Sequence, residues 1–407
     1  MSAIFMLYDL DGVLIRPNGY RKAVFDSIEF LLRGFGFKER IIDENVISTF
    51  EAIGITSEWD MVPLSILCVI ENQLMKASNS FQICNQNELS LLLESVDKEI
   101  DIEFILEKVN GFGAYLETEI SPSDSIFRKI TVGNHNNIFP IILEKSFWLI
   151  EEWLSNTRNI YKSKSLQLFQ NLTLGSELYK KITSLDPIVE TGSYLTEFDE
   201  VLIKQKHLET INKFFTEVDK YQVAITARPS GSSIQTAENF STQYYPETEL
   251  AMNLLGMDEL PFIGYGALDA FGRMMNKSGD TFVKPSAFHA LSSILHATGF
   301  EVLEAFNLTY DYLYRNEKVQ LLDFLRNFQE SIQVFIFEDS IIGIQSLKSV
   351  CEELTKDGIK IHFTAYGISE NQNKKLALER ENAIIYPTIN EAFSHCVENL
   401  YTRSGEL

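Results

Sequence analysis

The sequence predicts an α/β protein: a doubly wound, Rossmann-like parallel sheet carrying a large inserted α-helical domain. Three observations lead there. Short continuous apolar runs recur at Ile4–Tyr8, Val223–Ile225 and Val334–Phe337, each followed by a polar residue, as strands buried on both faces require. Helical periodicity lies between these runs, and strands alternating with helices make a parallel sheet. The stretch from about 17 to 190 carries helical periodicity with no strand alternation.

Ile4–Tyr8 reads as the first strand and ends at Asp9. Tyr20, Val24, Phe25, Ile28, Leu31, Leu32 and Phe35 then repeat at helical spacing, closed by Gly34 and Gly36. Further helices are expected around 60–77, 86–98 and 138–155, with Asn110–Asn137 as a long polar loop. The chain is expected to return to the sheet near Asp186-Pro187 and Thr191-Gly192-Ser193. The expected division is a catalytic core of 1–16 and 190–407 around a helical cap of 17–189. Leu208, Ile211, Phe214 and Phe215 mark a helix before the Val223–Ile225 strand, which ends at Thr226. A smaller helical insertion, about 301–330, precedes Val334–Phe337 and the Glu338-Asp339 pair. Ile344, Leu347, Val350 and Leu354 form the next helical stripe, and Ile359–Phe363 and Ile384–Tyr386 two more strands.

At 407 residues the chain is long for one core, which agrees with two domains. Asp and Glu number 57 against 35 Lys and Arg, a formal charge of −22 that would repel nucleic acid and anionic membrane. An anionic substrate would therefore depend on a bound cation and local donors. Cys68, Cys84, Cys351 and Cys396 form no CxxC pair and read as free thiols in a reducing compartment. There is no apolar run long enough for a bilayer, and MSAIFMLYDLDG lacks a basic leader region, so a cytoplasmic location is expected. The oligomeric state stays open.

Four short signals carry chemistry, three of them where strands end, the edge at which open α/β sheets bind ligands. In Asp9-Leu10-Asp11-Gly12, one carboxylate at a strand end can attack phosphorus, and a second two residues on can move a proton to the leaving oxygen. A polar strand-to-loop turn would look the same, whereas a calcium loop fits badly with Val13 in its fifth position. Thr226 in VAITARPSG offers a hydroxyl, and the following amide of Ala227 a donor, for a phosphoryl oxygen; a helix cap is the plainer role. Arg228 could add charge, though a surface arginine is the simpler reading. Lys284, before Pro285, could hold a nucleophile ionised or simply be solvated. Glu338 and Asp339 form an acidic pair after an apolar strand, suited to Mg²⁺ or to a solvated helix cap.

Taken in order, DLDGVL, AITAR, VKPS and FEDSIIGI resemble the motifs of the haloacid dehalogenase superfamily. The likeness is to its phosphatase branch with an early helical cap, the group of phosphoglycolate phosphatases and β-phosphoglucomutases, and it covers the core, about 1–16 and 190–400. The resemblance implies Asp9 as nucleophile and Asp11 as acid and base, with Thr226 and Lys284 on the phosphoryl group. It further implies Gly12, Ala227 and Arg228 beside the substrate, and Mg²⁺ held by Asp9, Asp11, Glu338 and Asp339, with Glu338 acting through water. The second acid, Asp11, disfavours dehalogenation, because the dehalogenase branch lacks it. GYRKAV and EWD resemble the early Tyr-Arg and Trp-Asp signals of one cap subgroup, with Thr56-Ser57-Glu58 where Asn-Asn-Asp is usual. They make Arg21, Trp59 and Asp60 the candidate cap contacts to substrate. The implied function is a Mg²⁺-dependent phosphatase for a small phosphorylated metabolite. A phosphomutase of the same fold and a catalytically idle binder of a phosphorylated ligand are the alternatives.

Overall fold

The computed structural model describes residues 3–38, 41–77, 82–117, 120–133, 137–214, 217, 219–231, 245–328 and 331–404. Phe215, expected in the helix before the second core strand, lies outside them. The chain divides into two compact units: Met1–Pro17 with Asp199–Leu407, and Asn18–Phe198.

The first unit is built on a six-stranded sheet. Its strands are β1 (Ala3–Tyr8), β4 (Lys220–Ile225), β5 (Phe262–Ile263), β6 (Ile332–Glu338), β7 (Ile361–Ile368) and β8 (Ile384–Tyr386), all parallel, in the order β5-β4-β1-β6-β7-β8. Along each central strand, neighbouring residues feed opposite cores. Phe5, Leu7, Val223, Ile225, Val334 and Ile336 pack on one face, and Met6, Tyr8, Ala224, Phe335 and Phe337 on the other. Helices cover both faces, which is why these strands read as unbroken apolar runs rather than alternating ones. The doubly wound α/β class is thus observed.

The two remaining strands, β2 (Ile15–Arg16) and β3 (Glu200–Val201), pair antiparallel where the chain leaves the first unit and where it re-enters it. Two-residue strands carry no periodicity, so neither these nor β5 was legible.

The second unit is helical. Helix Glu58–Lys76 lies at its centre and packs against Asn18–Arg33, Ile102–Phe112, Pro140–Lys145 and Trp148–Leu154. Its buried polar residues hold the starts of neighbouring helices. The Glu71 carboxylate accepts the N–H groups of Ile141 and Ile142, at 3.0 and 2.8 Å. Asn72 accepts from Asp101 N–H, the residue that caps Ile102–Phe112. The loop expected over Asn110–Asn137 is in part helix, Pro122–Thr131. Only Ile126 and Ile130 give that helix a deeply buried apolar stripe, too short to show as periodicity. Its start is instead written in capping chemistry: Ser121 accepts from Asp124 N–H and Pro122 takes the first turn. The single pattern at 138–155 is two short helices, Pro140–Lys145 and Trp148–Leu154.

Candidate active site

In the sheet order β1 lies between β4 and β6, so three adjacent strands present their carboxyl ends together. The chain passes from β1 to one side of the sheet and later to the other, which makes this the crevice where doubly wound sheets take ligands. Asp9 follows β1, Thr226 follows β4, and Glu338 ends β6 with Asp339 next to it.

Lys284 ties the three strand ends together. Its ammonium lies 3.0 Å from Asp9 Oδ1, 3.0 Å from Glu338 Oε1 and 3.3 Å from the Ile225 carbonyl oxygen. The side chain is buried, not solvated. Burial alone would lower its pKa, but the Asp9 and Glu338 carboxylates outweigh that and hold it above the ordinary lysine value. Its backbone is braced as well: Lys284 N–H donates to His289 Nδ1 at 3.3 Å, and His289 Nε2 lies 3.1 Å from the Ile263 carbonyl on β5. A carbonyl only accepts, so the ring proton sits on Nε2. Burial, helped by the charge of Lys284, pushes the imidazole pKa down to about 3, so the ring stays neutral in this brace.

Asp9, Glu338 and Asp339 each offer a carboxylate oxygen within 4.8 Å of the others. Burial and then the charge of Asp9 raise Glu338 well above the usual carboxylate range, against the pull of Lys284. Asp339 is raised by burial, opposed by Lys374, whose ammonium lies 2.7 Å away. Glu338 Oε1 accepts from Lys284 and from Ser340 Oγ, while Oε2 has no hydrogen-bond partner among the described residues. Three crowded acids with an unsatisfied buried oxygen suit a metal ion, and the cluster could hold one.

Two glycines allow the acids this close. Gly12 has φ +77°, and a Cβ there would sit 2.4 Å from Asp339 Oδ2. A Cβ at Gly343 would sit 2.0 Å from Glu338 Oε1. The glycine of the first motif thus makes room for the acid of the fourth.

Thr226 is buried; its Oγ1 accepts from Arg228 N–H at 3.1 Å, and Ala227 between them is exposed. Arg228 corrects the expectation of a surface arginine. Its side chain is 1% exposed, and its guanidinium grips Asp11 and reaches Asp199 Oδ2 at 3.0 Å. Burial is tolerable because two carboxylates meet it.

The cap candidates lie in the second unit. Asp60 is fully buried and engaged there, paired with Arg158 at 2.5 Å and accepting from Ser123 N–H at 3.1 Å. An aspartate so enclosed helps anchor the unit, since both of its carboxylate oxygens are engaged by partners within it. Trp59 is half-buried with the Arg158 guanidinium 5.0 Å from its ring centroid. Arg21 is partly exposed and pairs with Glu51 at 2.6 Å. Asp199, Lys374 and His289 were not found from sequence, where nothing distinguishes them from surface charges and a helical histidine.

No family model matches the chain, and no curated protein matches it. Two solved structures are similar. An X-ray structure from the Northeast Structural Genomics Consortium, described without a function, aligns over 98% of this chain and 99% of its own at 14% identity and a TM-score of 0.54. Phosphatase Tt82 from Thermococcus thioreducens aligns over 92% of this chain and 99% of its own at 14% identity and a TM-score of 0.39. The first likeness supports the fold alone, and the second is too distant to carry an argument. No helix among the described residues is long and apolar enough to cross a membrane.

Proposed function

We propose that this protein is a phosphomonoester hydrolase of the haloacid dehalogenase type, acting on a small phosphorylated metabolite with Mg²⁺. One observation carries the reading: four motifs far apart in sequence converge on three strand ends, with one buried ammonium joining Asp9 to Glu338. A structural ion pair needs one acid for one base. Three acids around a nucleophile-bearing strand end suit phosphoryl transfer, in which positioning and charge do most of the work.

In this reading an Asp9 oxygen attacks phosphorus. The bond from phosphorus to the ester oxygen breaks, and that oxygen leaves as the alcohol with a proton from Asp11. Water then attacks the aspartyl-phosphate and gives a proton to Asp11; the bond to Asp9 breaks, releasing inorganic phosphate and restoring the carboxylate. Lys284 holds Asp9 ionised and opposes charge building on the phosphoryl oxygens. The Thr226 hydroxyl and the Ala227 amide serve as donors to the same oxygens. Asp9, Asp339, the Asp11 carbonyl and, through water, Glu338 would hold Mg²⁺, and the ion would supply further charge neutralisation. The helical second unit is the cap of this family and the source of substrate choice.

The test is phosphate release across a panel of phosphorylated metabolites with Mg²⁺. Asp9→Asn should abolish release while leaving the fold intact, because an amide cannot form the acyl-phosphate. Chelation should remove activity, and beryllium fluoride should bind the wild type on Asp9. Release that survives in Asp9→Asn, or in excess chelator, would sink the mechanism.

A further inference from the structure

Arg228 and Asp199 have no role in the mechanism above, yet both are among the most completely buried charges in the first unit, with side chains 1% and 0% exposed. The Arg228 backbone is fixed at several points. Its N–H donates to Thr226 Oγ1 at 3.1 Å, and its carbonyl accepts from Tyr265 N–H at 2.9 Å and from Thr248 Oγ1 at 3.3 Å. From that base Nε donates to both oxygens of Asp11, at 3.0 and 2.9 Å, and Nη2 donates to Asp11 Oδ1 and to Asp199 Oδ2. Asp11 itself is 34% exposed, so without the fork its carboxylate would turn freely in solvent. Neutralising Asp11 needs one guanidinium and no second acid. A buried aspartate added behind the arginine is costly unless the direction of the guanidinium matters, because it pins the planar fork to one orientation.

We infer that Arg228 and Asp199 are positioning residues that aim the Asp11 carboxylate for proton transfer. Asp199 orients Arg228, Arg228 orients Asp11, and neither touches the phosphoryl group. The inference rests on the reading of Asp11 as the acid and base of a phosphatase. A proton carrier held in line contributes about 10²–10⁴-fold, and a small misplacement removes a good part of that. The loss should also depend on the leaving group, since a poor one needs its proton more.

The test compares phenyl phosphate with 4-nitrophenyl phosphate, which differ little in shape while phenolate is the poorer leaving group. Arg228→Met with Asp199→Leu removes both charges together, so no lone buried charge remains to unfold the chain. The double variant should lose about tenfold to a hundredfold in kcat on phenyl phosphate, with KM little changed and a clearly smaller loss on 4-nitrophenyl phosphate. Unchanged kcat, or equal losses on both esters, would overturn the positioning role and leave the phosphatase reading standing. No Asp9-dependent release by the wild type from either ester or from any metabolite of the panel would overturn both. Should the double variant not fold, Arg228→Lys, which keeps the charge and loses the fork, is judged by the same two ratios.

Discussion

In the second unit three buried polar side chains of helix Glu58–Lys76 end on backbone N–H groups at the starts of other helices: Asp60 on Ser123 N–H, Glu71 on Ile141 and Ile142 N–H, Asn72 on Asp101 N–H. In the first unit the buried charges at the ends of β1, β4 and β6 end chiefly on one another. Backbone amides at a helix start are fixed donors that need a partner, and Asp60, Glu71 and Asn72 each supply one, while the neutral Ser65 Oγ and Gln73 Oε1 of the same helix have no hydrogen-bond partner among the described residues. Burial raises Glu71 above the usual glutamate value, while the two N–H bonds pull it back. The acids around Lys284 are not matched in this way: Glu338 and Asp339 are both held above the usual range, and Glu338 Oε2 has no partner among the described residues. Under the proposed function the difference has a reason: charge buried for structure finds its own partners, whereas charge buried for chemistry leaves a place for a ligand.

The largest effect is expected at Lys284. Lys284→Met keeps the volume but leaves Asp9 and Glu338 buried without their cation, a cost of about 3–5 kcal/mol. Thermal unfolding should move sharply downward and phosphate release should vanish; a stable, active variant would break the comparison. Asp60→Ala should be smaller and different in kind. Arg158 is 34% exposed and can rehydrate, so about 2–3 kcal/mol of stability is expected to go, with kcat and KM of the folded fraction near wild type. A fall in kcat with the melting temperature unchanged would put Asp60 among the substrate contacts. The smallest effect on stability belongs to Arg21→Ala, whose pair with Glu51 lies on the surface and carries about 0.2–1 kcal/mol. A tenfold loss of kcat/KM on the preferred metabolite, about 1.4 kcal/mol, with no loss on 4-nitrophenyl phosphate, would make Arg21 a specificity contact.

Much of the first unit was legible because its signals are local. An apolar run ending in Asp9, and another ending in Glu338-Asp339, place both acids at strand ends whatever else the chain does. Once the strands are adjacent, Gly12 and Gly343 explain how the acids approach, and both belong to motifs visible in the sequence. What was not legible depends on partners distant in sequence. Arg228 reads as a surface arginine until Asp11, 217 residues away, and Asp199 are brought to it. His289 shows its purpose only when β5 supplies the Ile263 carbonyl. In the second unit, Asp60 stood at the first turn of a helix, where an exposed acid is common, and nothing local announced Arg158 or Ser123 as its partners.

The β2–β3 ribbon, with Arg16 facing Glu200 and Ile15 facing Val201, is in chain terms a hairpin whose loop is an entire folded unit. Closing so long a segment of flexible chain would cost conformational entropy that rises by about 0.6 kcal/mol with each doubling of length. Here the second unit meets that cost itself. Its first helix, Asn18–Arg33, packs against its last, Tyr194–Phe198; Tyr194 Oη donates to Asp26 at 2.8 Å, and Lys22 Nζ lies 5.2 Å from the centroid of the Phe198 ring. Its ends are therefore already side by side once it is folded. Insertions within the unit can lengthen the chain without loosening the ribbon, so its size is free to vary while the strand ends that carry Asp9 and Asp11 keep their register.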